Sequence, residues 1–280
     1  MHPILFHVGS FPVRSYGAMI VLGFLLGIWR TRRLCKRRME SEPEASPRRI
    51  DPDAALDIGV MTLLAGLLGA RLLFVLLDWA HFAGRPLEIF KIWEGGMSLH
   101  GSLILGFAYL VYAARRWKYS LLVLGDLAAP TFAICYIVGR IGCLLNGCCY
   151  GNVCALPWGV RFPDEHAHGL LTPPSHPVQV YGSLFHVLFL WIFTRIEKRP
   201  YRNGQILFLE VALYGGYRGF VEFFRAGATS TYLAPNIPFT ETHIISLVMI
   251  LVGVAGLAWT RKNRPLMQDA LFTAPKPVSN

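Results

Sequence analysis

The sequence has little charge for its length. Only 16% of its 280 residues are charged, whereas soluble globular domains carry about 25%. Hydrophobic residues make up 54% of the chain, and they fall in blocks close to the roughly 20 residues that a spanning helix needs. Tandem repeats are also lacking. The composition therefore excludes an ordinary soluble domain and indicates a polytopic membrane protein.

Acidic residues are scarce beside basic ones, with 17 Asp and Glu against 27 Lys and Arg. The basic residues gather at the ends of apolar blocks, at 30–49, 115–118, 195–202 and 261–264. This is the positive-inside pattern, which sets orientation in a membrane. The surplus of positive charge therefore indicates a lipid bilayer as the surroundings, and no nucleic-acid partner is expected.

The first residues lack the features of a cleaved signal peptide. Met1–Arg14 has no basic n-region and contains Pro3 and Pro12. The first apolar block is followed by a dense run of arginines, which favours a retained anchor with the N-terminus outside.

The apolar blocks predict an all-α fold with about seven transmembrane helices, N-outside and C-inside. A basic segment at 32–49 is expected to be a mobile inner loop, and a polar segment at about 147–177 an external head segment. Residues 1–264 are expected to form a single transmembrane domain, followed by a disordered polar tail at 265–280. The predicted helices cover about 15–33, 54–77, a third ending near 114, one from 121 into the 139–151 stretch, 178–194, 204–224 and 242–260.

The stretch from Gly139 to Gly151 is the strongest candidate for a binding site. Arg140 follows an apolar run, and an arginine at that depth costs about 2.5–3.5 kcal/mol on insertion scales. The four glycines of the stretch allow close approach of backbone or ligand, and Asn146 adds a donor and an acceptor. The pattern favours a site for an anionic lipid-like molecule. The alternative is an arginine that snorkels from a helix end.

The embedded arginines are expected to leave positive charge that the few embedded carboxylates do not neutralise. Arg218 and Glu222 are four residues apart, so an intrahelical pair is the structural alternative for both. The surplus charge predicts a phosphate ligand, because arginine binds phosphate oxygens in a bidentate manner. A phospholipid headgroup is the available source. The embedded groups are Arg71, Arg140, Arg218, Asp126, Glu210 and Glu222.

His100 is the first candidate for a general base, since histidine takes up protons near neutral pH. It follows a glycine-rich segment on the predicted outer side. His166, His168 and His176 in the head segment are alternatives. Among the cysteines of the outer side, a structural disulfide is the preferred interpretation; a zinc site with His166 and His168, or a catalytic thiol, remain alternatives, although no CxxC pair is present. These cysteines are Cys143, Cys148, Cys149 and Cys154.

Taken together, these residues resemble the phosphatidylglycerol–prolipoprotein diacylglyceryl transferase family of bacterial inner membranes. The motif with Arg140, Asn146 and Gly151 and the glycine-rich segment with His100 carry the resemblance from Tyr16 to about Leu247. Further matches in order are Tyr16-Gly17, Gly125-Asp126, the segment 176–181 and the segment 214–225.

The resemblance implies transfer of diacylglycerol from phosphatidylglycerol to the lipobox cysteine of a prolipoprotein signal peptide, with release of glycerol phosphate. It implies His100 as base, Arg140 and Arg218 as catalytic cations, and a multi-pass protein of the bacterial inner membrane. No metal or organic cofactor is expected, because the lipid carries the leaving group. The substrate-binding residues it implies are Arg140, Tyr16, Asn146, Gly151, Glu222, Arg71 and Arg225.

The chain departs from the family pattern at four positions. Cys143 replaces a usual asparagine, Cys148 and Gly182 stand where acidic residues are common, and His243 replaces a common glutamine. A diverged paralogue that binds or transports lipid without catalysis is therefore the alternative, although the inverted repeats of a transporter are not visible. A metal-dependent enzyme built on the head segment is a second alternative.

Overall fold

The computed structural model describes residues 1–9, 11–91, 95–163, 170–225, 232–234 and 237–267. Helices dominate this part of the chain. Seven of them have at least 18 residues, and the eighth, α3, is a single turn. The helices are α1 (Ser15–Ser41), α2 (Pro52–Leu77), α3 (Trp79–Phe82), α4 (Leu99–Arg116), α5 (Leu121–Asn146), α6 (Val178–Glu197), α7 (Gln205–Glu222) and α8 (Glu241–Asn263).

Four of the described helices are long and apolar enough to cross a membrane: α2, α5, α6 and α8. Their hydrophobic side chains are largely exposed on the protein, as in Leu68, Leu184 and Leu251. Exposed apolar helices of this length are suited to contact lipid. The all-α, multi-pass membrane character predicted from composition is thus confirmed. The number of seven spans and their orientation stay predictions.

The chain divides into two compact units, whose boundaries fall inside α1 and α5. The first contains Met1–Arg30 and Gly125–Asn280, and the second contains Thr31–Leu124. The core of the first unit is built from α5, α6 and α7, with Ala133, Phe193 and Ile206 fully buried. The expectation of one domain over 1–264 stays a prediction.

Asp126 fixes the start of α7 in the first unit. Its carboxylate accepts hydrogen bonds from the backbone N–H groups of Gly204 at 2.6 Å and Leu207 at 2.9 Å. The first N–H groups of a helix have no intrahelical acceptor, and an aspartate is a preferred partner for them. This embedded carboxylate therefore caps the start of a helix.

Glycines permit close helix crossings in both units. In the first, a Cβ on Gly256 of α8 would lie 2.1 Å from the Phe208 ring of α7. In the second, a Cβ on Gly69 of α2 would lie 2.3 Å from the carbonyl oxygen of Gly101 in α4. The second crossing places the first turn of α4, which contains His100, against the C-terminal half of α2.

Two expectations need correction, and one lies partly outside the described residues. The segment 32–49 was expected to be a mobile loop, but α1 continues to Ser41 and Arg38 is buried there. Because the Arg38 side chain is buried, this part of the segment is ordered as helix and is not a mobile loop. Two hairpins were not expected: β1 (Ile4–Val8) with β2 (Phe11–Arg14), and β3 (Tyr232–Ala234) with β4 (Ile237–Thr240). In the tail, the backbone of Met267 exchanges two hydrogen bonds with that of Tyr201. Residues 268–280 lie outside the described part.

Candidate active site

Arg140 lies in the last two turns of α5, where its guanidinium is hydrogen-bonded to one tyrosine hydroxyl, which in turn contacts a second one. Its guanidinium donates a hydrogen bond to the Tyr136 hydroxyl at 2.6 Å and lies 4.9 Å from the centre of that ring. The Tyr136 hydroxyl is in turn 3.0 Å from the Tyr217 hydroxyl of α7. Because Tyr136 is one turn before Arg140, the helix itself places the ring under the guanidinium. The arginine is thus oriented by neutral groups.

No carboxylate forms an ion pair with Arg140 among the described residues. Within the described residues of the first unit, no carboxylate therefore neutralises its charge. A half-buried cation without a counter-ion is expensive, so the arrangement is suited to an anionic ligand. The choice of Arg140 as the centre of the site stays a prediction.

Arg218 is paired with Glu222 one turn later in α7, at 2.5 Å. The intrahelical pair that the sequence offered as the structural alternative is therefore present. Glu222 is fully buried, and its other oxygen accepts a hydrogen bond from the Thr240 hydroxyl at 3.1 Å. His243 takes part as well, because its Nδ1 accepts from the Thr240 backbone N–H at 3.1 Å. Glu222 thus fixes Arg218 and joins α7 to the start of α8.

Arg225 adds a third positive charge just beyond α7. Burial lowers the pKa of Arg225, and the charges of Arg218 and Arg140 lower it further, whereas Glu222 acts in the opposite direction. The three guanidinium groups are therefore close enough to repel one another. Glu222 supplies one negative charge to this group of three cations. The surplus positive charge expected from the sequence stays a prediction.

Tyr16 opens α1 and lies within the field of the same arginine, because the charge of Arg140 acts on its hydroxyl. Gly142 explains the approach of α1 to α5. A Cβ on Gly142 would lie 2.9 Å from the Cβ of Met19 and 3.4 Å from the Cα of Tyr16. The glycine of the motif therefore brings the start of α1 to the helix that carries Arg140.

Asn146 ends α5, and its side chain hydrogen-bonds the thiol of Cys148. The thiols of Cys143 and Cys149 also donate hydrogen bonds to that sulfur, and together these bonds lower the pKa of Cys148. All six cysteines are free thiols. The structural disulfide expected from the sequence is therefore not formed in this structure. Hydrogen bonding among neighbouring thiols holds the segment together in its place.

Gly151 brings the head segment against the end of α7. A Cβ there would lie 2.4 Å from the carbonyl oxygen of Phe224, so only glycine fits. His176 follows in the same segment, and its Nδ1 lies 3.1 Å from the Tyr181 hydroxyl. Burial lowers the pKa of His176, which favours its neutral form. The alternative bases His166 and His168 lie outside the described residues.

Arg71 and His100 belong to the second unit. The Arg71 guanidinium donates four hydrogen bonds of 2.6 to 3.0 Å to backbone carbonyls of Glu88, Ile89, Gly95 and Gly96. This arginine positions the glycine-rich segment that precedes His100, and a contact between Arg71 and substrate stays a prediction. His100 is exposed in the first turn of α4. Its position relative to Arg140 stays a prediction too.

Tyr136, Tyr217 and His186 also belong to this site, although they were not predicted from the sequence. His186 is fully buried, stacks on the Tyr136 ring at 3.8 Å and has its Nδ1 2.8 Å from the Gly182 carbonyl oxygen. The one available signal was spacing, since Tyr136 precedes Arg140 by one turn and His186 follows Gly182 by one turn. The contact between Tyr136 and Tyr217 joins two helices that are distant in sequence, and spacing does not reveal it.

The fold and the site define a multi-pass helical membrane protein in which no described carboxylate pairs with the half-buried Arg140. The sequence profile described as "Prolipoprotein diacylglyceryl transferase" matches residues 3–259. The chain belongs to this family of transferases, as its motifs predicted.

Curated relatives match over nearly their whole length. The chain is similar to the phosphatidylglycerol–prolipoprotein diacylglyceryl transferase of Geobacter sulfurreducens, with 33% identity over 94% of this chain and 97% of the relative. It is also similar to the transferases of that description from Rhodospirillum rubrum, at 35% identity over 94% of each chain, and Oleidesulfovibrio alaskensis, at 34% over 97% of each. These likenesses do not favour the non-enzymatic alternative.

Proposed function

We propose that this protein transfers the diacylglyceryl group of phosphatidylglycerol to the lipobox cysteine of prolipoprotein signal peptides. Glycerol phosphate is the leaving group. Family membership supports the reaction type. The observation that carries the proposal on this chain is Arg140, a half-buried guanidinium that neutral tyrosines orient and no described carboxylate neutralises. A phosphodiester headgroup supplies the missing negative charge.

The reaction places its largest charge change where the arginines lie. As the bond between the glycerol carbon and the phosphate oxygen breaks, the phosphate gains negative charge. Fixed cations that face this oxygen stabilise the transition state more than the substrate. Arg140 takes this role, and Arg218 supports it from its pair with Glu222. Arg225 increases the local positive potential.

Positioning of the lipid falls to the neighbouring polar residues. Tyr16 and Asn146 flank Arg140 from α1 and from the end of α5, and each offers a hydrogen-bonding group to the headgroup. Gly151 holds the head segment against α7. Arg71 positions the segment before His100, and its contact with the headgroup is proposed from the family resemblance.

The nucleophile is a thiol, which reacts as a thiolate. A free thiol has a pKa near 8.5, so a base speeds the reaction at neutral pH. His100 is our candidate for that base, on the family resemblance and on its exposure in the first turn of α4. The lipid carries its own leaving group, so this step requires no organic cofactor.

We further propose seven spans, with the N-terminus outside and the C-terminus inside, in the inner membrane of a bacterium. The seven long helices α1, α2 and α4 to α8 support this number. A phosphatase or fluorescent reporter fused after residue 267 tests the orientation: fluorescence with no phosphatase activity is expected, and the reverse contradicts it.

The deciding experiment is a transfer assay in vesicles that contain phosphatidylglycerol and a lipobox peptide. Arg140→Ala is expected to lower the rate by about 10²- to 10³-fold, the usual effect of removing one charge-stabilising group. The matched control is Arg195→Ala. Arg195 lies in the last turn of α6, where its guanidinium stacks on Trp191. The transfer rate of this variant is expected to stay within about twofold of that of the unmodified protein.

Two further arms separate the roles. Vesicles of phosphatidylcholine with the same acyl chains are expected to give no thioether product. His100→Ala is expected to lower the rate most below the pKa of the peptide thiol and least above it. Absence of transfer by correctly inserted, unmodified protein would contradict the proposal, and so would full activity in Arg140→Ala.

A further inference from the structure

Three cysteine thiols meet at the end of α5. The Sγ atoms of Cys143, Cys148 and Cys149 all lie within 4.8 Å of one another, and those of Cys148 and Cys149 are 3.4 Å apart. We call these three residues the trithiol cluster. Cys143 is buried, Cys148 is half-buried and Cys149 is exposed. One side of the cluster is therefore open to solvent.

The backbone after α5 turns back so that the thiols converge. The N–H of Gly147 donates to the carbonyl oxygen of Cys143 at 3.0 Å, and the N–H of Cys148 donates to the same oxygen at 3.2 Å. Gly147 has a φ of 79° and Cys149 a φ of 65°. A positive φ is unusual for a residue with a side chain. At Cys149 this backbone conformation brings the third sulfur atom close to those of Cys143 and Cys148.

The spacing of the sulfurs fits a tetrahedral zinc ion. Zinc–sulfur bonds of about 2.3 Å place neighbouring sulfur atoms roughly 3.8 Å apart in a tetrahedron. The 3.4 Å between the Cys148 and Cys149 sulfurs and the 4.8 Å limit on all three separations are compatible with this value. No fourth Cys, His, Asp or Glu belongs to the group in the part of the chain that the structure describes. Three protein ligands and one open position are typical of catalytic zinc, whereas structural zinc has four protein ligands.

We propose that the trithiol cluster binds Zn²⁺ through three thiolates and that the open position takes the cysteine thiol of the protein substrate. This inference rests on the proposed function, because it names the site at which the thiol of that reaction is activated. A thiol that coordinates zinc is deprotonated, and the thiolate is the reactive form. Zinc in the cluster thus activates the nucleophile by binding its sulfur as a thiolate, which a histidine base alone does not do.

The step balances as follows. The peptide thiol loses its proton to the candidate base His100 or to water, and its sulfur binds zinc. The sulfur electron pair forms the bond to the glycerol carbon, and the carbon–oxygen bond breaks with its electron pair on the phosphate oxygen. Glycerol phosphate leaves and takes up a proton from water, the thioether dissociates from zinc, and no oxidant or reductant is needed.

Arg140 connects the trithiol cluster to the lipid. It precedes Cys143 by three residues on α5, and its positive charge acts on the Cys149 thiol. A zinc ion with three thiolates carries a net charge of about −1, which the arginine offsets. The zinc-held sulfur would therefore lie beside the cation that we propose for the phosphate of the lipid.

Metal content of the full-length protein tests the site. Protein purified in detergent and dialysed against Zn²⁺ is expected to retain about one zinc per chain. Cys148→Ser and Cys143→Asn are expected to retain less than about a tenth of that, and the second variant places a residue common in the family at this position. Cys154→Ser is the matched control, since Cys154 is a buried thiol of the head segment outside the cluster. Equal zinc in all four proteins would overturn the proposal.

Cobalt(II) in place of zinc tests the open position. The Co²⁺-loaded protein is expected to show thiolate-to-cobalt charge-transfer bands, which grow on addition of a lipobox peptide but not of the same peptide with serine for cysteine. A cobalt spectrum that the cysteine peptide leaves unchanged would overturn the role in substrate activation. A titration that finds only four thiols per chain, the other two being oxidised to a disulfide within the cluster, would overturn the site.

These measurements separate the inference from the proposed function. Zinc retention and the cobalt spectrum are measured without lipid, so they succeed or fail independently of transfer. Transfer that stays within twofold in Cys148→Ser, in a protein shown to have lost its zinc, would overturn the inference and leave the transferase intact. A positive peptide response in a protein that transfers nothing would overturn the transferase and leave thiol binding in place.

Discussion

Gly182 of α6 lies directly against the hydroxyl of Tyr217, so that a Cβ at position 182 would be 2.6 Å from that oxygen. The same Cβ would lie 3.4 Å from the Cγ of Arg140. A tyrosine hydroxyl thus lies beside the position at which the family resemblance implies an acidic residue. This replacement keeps Arg140 oriented without neutralising it.

Gly182→Ala is therefore expected to disturb Arg140 through Tyr217. Overpacking of a buried site costs about 1–3 kcal/mol, and we expect transfer to fall by about tenfold or more. The double variant Gly182→Ala/Tyr217→Phe removes the hydroxyl that clashes and is expected to recover part of the rate. Equal activity of Gly182→Ala and the unmodified protein would show that Tyr217 does not position Arg140.

Tyr136→Phe tests the acceptor of the Arg140 hydrogen bond. Hydrogen bonds to charged groups contribute about 1.5–3 kcal/mol, but the aromatic ring under the guanidinium remains. We expect the KM for phosphatidylglycerol to rise by about three- to thirtyfold, with a smaller change in kcat. Tyr112→Phe, at an exposed position of α4, is the control and is expected to change neither constant.

Thr240→Val tests the support of the buried Glu222. The variant keeps the shape of the side chain and removes the hydroxyl that donates to the carboxylate. An unsatisfied buried acceptor costs about 1–3 kcal/mol, and more when charged. We expect a lower unfolding temperature in detergent and weaker transfer, because Arg218 loses its fixed partner. Thr240→Ser keeps the hydroxyl, so a similar loss in that variant would count against this explanation.

Asp126→Ala tests the cap of α7. Loss of an N-cap costs about 0.5–2 kcal/mol, and Asp126 accepts two backbone hydrogen bonds at a buried site. A decrease in thermal stability is expected, with the substrate KM of the remaining folded protein unchanged. Asp53→Ala is the comparison, because Asp53 forms an exposed ion pair with Arg32 and such pairs contribute little.

Acidification is expected to destabilise the protein partly through His176. Burial lowers its pKa below the ordinary value, so the unfolded chain binds the proton more readily. Stability is therefore fully present above the unfolded pKa of about 6.5 and falls as the pH drops from there through the folded pKa. Unfolding temperatures between pH 8 and 5 are expected to decline less in His176→Gln than in the unmodified protein. Parallel profiles would contradict this role.

Sequence reasoning was most successful where a single residue interrupts an apolar run. Arg140 and the pair of Arg218 with Glu222 follow from the cost of charge in a membrane and from helical spacing, and the long helices follow from their apolar blocks. It failed for α1, whose helix continues to Ser41 through residues that the composition marked as loop. Burial of Arg38 depends on packing that local sequence does not encode.

The remaining differences arise from contacts between distant segments. Whether the four cysteines expected on the outer side pair or cluster depends on the turn after α5, and the positive φ at Cys149 is not apparent from the sequence. Asp126 was counted as an embedded charge, because its partners in α7 are about eighty residues away. The hydroxyl contact between Tyr136 and Tyr217 is of the same kind.

The four acceptors of Arg71 are backbone carbonyl oxygens, a group that every residue possesses. Substitutions at Glu88 or Ile89 leave these acceptors in place. Evolution is therefore free to vary those side chains while the path of the chain toward His100 is retained. Across divergent relatives, the arginine should persist longer than the residues at positions 88 and 89.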